Sequence, residues 1–204
     1  MMDPNSGFCS KTRTYHSLRP IVHDPPPPSQ PLSITEYVFS LLHRHRSSSS
    51  STATSTTVSD PATFMINNAS GQRLTYSDLL HQTNSLAISL SKGDIAFILS
   101  HNSLRIPILY FSLLSLGVII SPAIPVDTSS DITHLLNLSR PGIVFATSET
   151  SHKLININPT WNCRTVLTDS PEFLSLLTRY DDDNSVINHR DNVVNQSDIA
   201  AIIY

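Results

Sequence analysis

The chain has 204 residues, 39% of them hydrophobic and 14% charged, with a formal net charge of −3. That is enough apolar material for a stable core, and the weak acidity excludes the basic footprint of a nucleic-acid or anionic-membrane binder. Only Cys9 and Cys163 are present, too far apart to suggest a disulfide framework or a zinc site, so both read as free thiols in a reducing compartment.

The first thirty residues contain no apolar run of the kind a secretory signal needs. Residues 1–31 form a Pro-rich extension, with "PPPP" at 25–28 in an extended conformation. Such a run can serve as an SH3-type ligand, but a stiff surface tether is its commoner use. A second region, 32–204, opens with "SITEYVFSLLHRH", where Ser33 can cap a helix whose apolar residues Tyr37, Val38, Leu41 and Leu42 recur at helical spacing. The Ser/Thr tract at 46–58 has little to bury and is expected to be a mobile loop. His43 and His45 stand two apart on that helix, so they face different ways and read as a solvated end rather than metal ligands.

From residue 60 the pattern alternates. "TFMIN", "NASGQ" and "RLTY" predict a short hairpin, after which Thr75 caps a helix with Asp78 three residues on. The helical face comprises Leu79, Leu80, Thr83, Leu86, Ala87 and Leu90. "KGD" turns the chain into the strand "IAFIL", Asn102 is placed to cap the following helix, and Gly117 to end it. The stretch "IPILYFSLLSLGVII" is shorter than the roughly 20 residues a bilayer span requires. It carries Pro107 and Gly117 and reads as a buried helix running into the strand "VIIS". The helix "ITHLLNLS", the strand "GIVFA", the helix "SETSHKLI", the strand "RTVLT" and the helix "PEFLSLL" follow, the last capped by Ser170 and opened by Pro171. The closing run, Ile199 to Tyr204, is apolar throughout and predicts a strand buried on both faces. Strands alternating with helices in this rhythm give an α/β fold, a mostly parallel sheet with helices on both faces.

In such folds ligands bind outside the carboxyl ends of the strands. Phosphate groups need clustered backbone N–H donors, usually from a Gly-rich turn or a helix N-terminus. The five glycines, Gly7, Gly71, Gly93, Gly117 and Gly142, are scattered, and neither common phosphate-binding glycine pattern occurs. Asp181, Asp182 and Asp183 can ligate a hard cation, although adjacent carboxylates in a polar loop are usually just solvated. His101 can act as an acid or base, or can simply be satisfied by the helix cap beside it. On chemistry alone the chain reads as scaffold, with no catalytic, cofactor-binding or metal residue assigned.

Several stretches nevertheless carry a likeness: "RLTYSDLL", "KGDIAFILSHNSLRIPILYFSLLSLGVIISPAIPVDTSSDI", "RPGIVFAT" and "SDIAAIIY". In this order and spacing they resemble the N-terminal part of adenylate-forming acyl-CoA ligases, most closely plant 4-coumarate–CoA ligase-like proteins. The leading "SGFCSKTRTYHSLRP" is similar to the branch usually assigned to peroxisomes. The resemblance covers nearly all of this chain but less than half of the family's usual length. It implies that residues 32–204 are the first part of an AMP-binding domain, ending where the Ser/Thr/Gly-rich phosphate loop begins. It implies ATP, Mg2+ and CoA as cofactors of the full-length family, and a carboxylic acid as substrate. It also implies a peroxisomal or cytoplasmic location, while the charge and the short apolar stretch above lead to the expectation of no nucleic-acid partner and no transmembrane segment. Two departures stand out. "LAISLSKGD" is shorter than usual, so the preceding helix must end abruptly or lose its last turn, and Asp131 replaces a more usual Glu. The 204-residue chain alone is expected to be inactive, and a non-catalytic remnant acting as an interaction module is the alternative.

Overall fold

The computed structural model describes residues 3, 6–16, 26–48, 62–86, 90–155, 160–178 and 193–204. The chain divides into two compact units, Met1–Gln30 and Pro31–Tyr204. In the first, β1 (Phe8–Cys9) pairs antiparallel with β2 (Thr14–Tyr15), and the rings of Phe8 and Tyr15 meet at 5.0 Å.

The second unit begins with α1 (Ile34–Ser48). Ser33 caps it as the sequence indicates, within a reciprocal box. The Glu36 N–H donates to Ser33 Oγ at 3.1 Å, and the Ser33 N–H donates to Glu36 Oε2 at 2.8 Å. The helix runs into the start of the Ser/Thr tract. The remainder of that tract, together with Asp181, Asp182, Asp183 and the side chains of His43 and His45, lies outside the described residues.

The hairpin forms as expected from β3 (Thr63–Ile66) and β4 (Arg73–Thr75), with Phe64 packed edge-on to Tyr76. Thr75 and Asp78 make the capping box of α2 (Tyr76–Ser85). The helical face does not continue to Leu90. Helix α2 stops at Ser85, with Leu86 as its buried C-cap. This agrees with the abrupt ending that the short "LAISLSKGD" requires.

Four parallel strands build the main sheet in the order β6-β5-β7-β8: β5 (Ile95–Leu99), β6 (Ile119–Ala123), β7 (Ile143–Ala146) and β8 (Arg164–Leu167). The two-residue period of β5 divides the core. Ala96 and Ile98 join Ile108, Leu109 and Leu113 of α3 (Arg105–Ser115) on one face. Phe97 and Leu99 join Ile132 and Leu136 of α4 (Ser129–Ser139) on the other. Each buried leucine, isoleucine or phenylalanine among them contributes about 1.5–3 kcal/mol relative to exposure. The sheet is therefore covered on both faces, which requires the near-continuous apolar strands seen in the sequence.

Helix α4 takes a second Thr/Asp box, Thr128 with Asp131, so the aspartate serves the helix N-terminus as a glutamate does. Hydrogen bonds from Thr128, first from its side chain and then from its backbone, hold the Asp131 carboxyl below the ordinary aspartate value. Helix α5 (Pro171–Leu177) starts at Ser170 and Pro171 as expected.

Three sequence expectations need correction. Asn102 does not cap α3; Leu104 occupies that position without a side-chain bond. Pro107 in the first turn removes one of the amide donors a cap would satisfy, which lessens the need for one. The stretch "SETSHKLI" forms only a 3-10 turn, Ser151–Leu154. Its short polar side chains bond to local backbone instead: Thr147 and Thr150 bond to each other's amides, and His152 Nδ1 lies 2.6 Å from the Glu149 carbonyl.

The third correction concerns the closing run. It lies parallel to β6 but makes only an isolated bridge, Ile120 to Ala201. Ile199 and Ile203 are exposed, at 65% and 75%. The run touches the sheet on one side only, because among the described residues no strand lies on its outer side. No helix among the described residues is long and apolar enough to cross a membrane, consistent with the reading of α3 as a buried helix.

Candidate functional site at the carboxyl edge of the sheet

The register of the sheet brings Leu99, Ala123, Ala146 and Leu167 into line at the carboxyl ends of their strands. From β5 the chain steps outward to β6, then crosses back over β5 to β7. The order reverses between β5 and β7, and in open α/β sheets that switch point is where a ligand crevice opens.

Local hydrogen bonds fix the loops that flank it. Thr150 Oγ1 donates to the Leu99 carbonyl at 2.7 Å, tying the loop after β7 to the end of β5. The Ser148 N–H donates to both carboxylate oxygens of Asp169, at 2.9 and 3.0 Å, which joins the loops after β7 and β8. Lys153 Nζ donates to the carbonyls of Pro125 and Asp127, joining the 3-10 turn to the loop after β6. Three connections are thus stitched into one rim.

His101 and Glu149 face each other across the switch point, with His101 Nε2 3.8 Å from Glu149 Oε1. Both are exposed, at 52% and 78% of the side chain. His101 lies on the loop that leads into α3, with the Glu149 carboxylate as its neighbour. No group of three or more metal-ligating side chains occurs among the described residues. The sequence did not single out Glu149, because a lone acid in "TSET" carries no signal until the crossover sets it beside His101.

A cleft of about 370 Å³ lies near the start of α3 and is lined by Asn67, Gln72, Arg73, Asp78 and Arg105 among others. Asp78 is already engaged there, accepting from the N–H and hydroxyl of Thr75.

The closing run also reaches the carboxyl edge. The Ile120 N–H donates to the Ala200 carbonyl at 3.0 Å, and the Ile202 N–H donates to the Ile120 carbonyl at 2.9 Å. Two residues further on, Tyr204 Oη lies 2.8 Å from Ser121 Oγ and 3.4 Å from the Leu135 carbonyl. At its beginning, Lys92 Nζ contacts Asp198 Oδ2 at 2.7 Å and donates to the Val193 carbonyl at 2.8 Å.

The rim does not itself fit a nucleotide triphosphate. Its amides at Thr147, Ser148 and Thr150 are bonded within the chain, and it has no glycine-lined turn to admit a phosphate.

Residues 52–204 match the family model described as AMP-binding enzyme. The chain is 44% identical to 4-coumarate–CoA ligase-like 9 of Arabidopsis thaliana, over 100% of this chain and 36% of that protein. It is 31% identical to peroxisomal OPC-8:0-CoA ligase 1 of Arabidopsis thaliana, over 75% of this chain and 26% of that protein. It thus spans about a third of the length of the curated relatives it matches. Its fold is that of the luciferase-like enzyme from the nonluminescent mealworm Zophobas morio, with a TM-score of 0.61 and 17% identity. That match covers 83% of this chain and 39% of the other. With three quarters of its length in one family model and its sheet in the same fold, the chain belongs to the AMP-binding enzyme family.

Proposed function

We propose that residues 32–204 are the N-terminal part of the adenylate-forming domain of an acyl-CoA ligase, and that residues 1–31 are an extension to it. The observation that carries this reading is the 44% identity, over the whole of this chain, to a 4-coumarate–CoA ligase-like protein. The overall reaction joins a carboxylic acid to CoA as a thioester and converts ATP to AMP and pyrophosphate. Mg2+ accompanies the nucleotide and offsets phosphate charge when bound.

The described residues supply no phosphate cradle, so their contribution is the sheet and its carboxyl-edge rim. The acid is a phenylpropanoid or a fatty acid. The location is peroxisomal or cytoplasmic, and the similarity to a peroxisomal OPC-8:0-CoA ligase supports the first.

The test is a chimera in which residues 1–204 replace the matching segment of 4-coumarate–CoA ligase-like 9. CoA-thioester formation is measured across a panel of cinnamic and fatty acids. Thioester from at least one acid is expected. A soluble, folded chimera that makes none from any acid the parent accepts would overturn the ligase reading and favour the interaction-module alternative.

A further inference from the structure

We infer that Lys92 and Asp198 are positioning residues, which set the register of the closing run against β6 and so fix where Tyr204 meets the carboxyl edge. As a statement about a ligase site this rests on the function proposed above, but the clamp itself is read from geometry alone.

The run is held at two points whose spacing a rigid sheet dictates. At the amino end, the Lys92 ammonium bridges the Asp198 carboxylate and the Val193 carbonyl. Asp198 in turn accepts from the Asn195 N–H at 2.7 Å, closing a turn at the start of the run. Lys92 is itself anchored in the turn before β5. The Ser91 N–H donates to Asp94 Oδ2 at 2.8 Å, and the Gly93 N–H donates to the Gly117 carbonyl at 3.0 Å. The Asp94 carbonyl accepts from Ile119 at 2.8 Å, so this turn is continuous with the first residue of β6. At the carboxyl end the anchor is the contact between Ser121 and Tyr204.

Gly117 makes the amino-end anchor feasible. A Cβ there would stand 3.0 Å from Lys92 Cγ and 3.1 Å from Val194 Cγ2, so the lysine stem and the incoming segment pass closely over the bare glycine and would have to give way to a side chain. Its φ of +71 is also one that other residues rarely adopt.

Two anchors on one strand leave a single register. A slip of one residue displaces the run by about 3.3 Å and turns each side chain to the opposite face. It would part the Tyr204 hydroxyl from Ser121 and expose Ile202, which is now half-buried. The closing run has only two backbone hydrogen bonds to β6 among the described residues, from Ile120 and Ile202, and too little ladder to hold register without the side-chain anchors.

The test is amide hydrogen exchange on the full 204-residue chain at low micromolar concentration, comparing wild type with Lys92→Met, Asp198→Asn and Lys92→Arg. Exchange at the Ile120 and Ile202 amides is expected to rise about tenfold or more in the first two variants, because the local opening they report is eased. The amides of Phe97 and Val144, deep in the sheet, should keep their protection. Lys92→Arg, which can still span the two acceptors, should restore slow exchange. Unchanged exchange at Ile120 and Ile202 in Lys92→Met would overturn the inference. So would a uniform rise across Phe97, Val144, Ile120 and Ile202, which would mean the lysine supports the fold and not the register. Neither outcome depends on ligase activity, so the clamp and the proposed function fail separately.

Discussion

The hydroxyls of Ser121, in the middle of β6, and Tyr204, 83 positions apart in sequence, lie 2.8 Å from each other. Ser121 is fully buried while Tyr204 is half exposed, so the contact joins the core to the rim. A buried serine hydroxyl without a partner costs roughly 1–3 kcal/mol, and the tyrosine supplies that partner. The closing run is thereby tied to the sheet at the edge where α/β folds carry their ligands.

Gly117→Ala is expected to destabilise the chain more than Gly93→Ala. Both glycines have positive φ, at 71° and 87°, so each substitution incurs the left-handed penalty of roughly 1–2 kcal/mol. Only at Gly117 does the added Cβ also meet Lys92 and Val194, whereas at Gly93 nothing lies within 4 Å. Urea unfolding midpoints of the two variants measure the difference. Equal midpoints would show that the close approach at Gly117 relaxes freely.

Much of this fold was legible in the sequence because its signals are local. The caps at Ser33, Thr75 and Ser170 were read from residue type and spacing, and the apolar runs of β5 and β7 from their burial on both faces. The failures came where a different interaction prevailed. "SETSHKLI" reads as a helix, but Thr150 and His152 bond to nearby backbone and leave a 3-10 turn. Residues 199–204 look like a central strand because they are apolar, yet a central place needs a neighbouring strand on each side and burial needs layers above and below, neither of which local pattern supplies. At the rim, Glu149 gains its place from the crossover that sets β7 beside β5, and Asp169 from the pairing of β8 with β7, and no spacing along the chain announces either.

The docking of the closing run should be insensitive to pH from neutral to about pH 5. A hydrogen bond from Lys92, followed by one from the Asn195 backbone, holds the Asp198 carboxyl below its ordinary value of about 3.9. A depressed folded-state value means that the stabilisation is present above the unfolded value and is lost as pH falls through the folded one. Release of the run is therefore expected only below about pH 4, where the carboxylate takes up its proton. Hydrogen exchange at Ile202 across a pH series, corrected for intrinsic rates, reads this directly. Release between pH 5 and 7 would assign the control to another group.

The two thiols should differ in reactivity. Hydrogen bonding from Thr12, first through its side chain and then its backbone, lowers the Cys9 thiol below its ordinary value, whereas burial pushes the Cys163 thiol up. At pH 7.5 Cys9 carries more thiolate and should be alkylated first by iodoacetamide. Mass-spectrometric peptide mapping at short reaction times reports the order. Faster labelling of Cys163 would show that Thr12 does not hold the Cys9 thiolate.

The central claim is that these 204 residues supply the scaffold of an adenylating site and not its reacting groups. Acid-dependent ATP–pyrophosphate exchange tests it most directly, run side by side on the 204-residue chain and on the chimera with 4-coumarate–CoA ligase-like 9. No exchange above the no-acid control is expected from the chain alone, whose rim amides are bonded internally and offer no phosphate cradle. Clear exchange is expected from the chimera with an acid that its parent accepts. Exchange by the 204-residue chain itself, or none from a folded chimera, would contradict the claim.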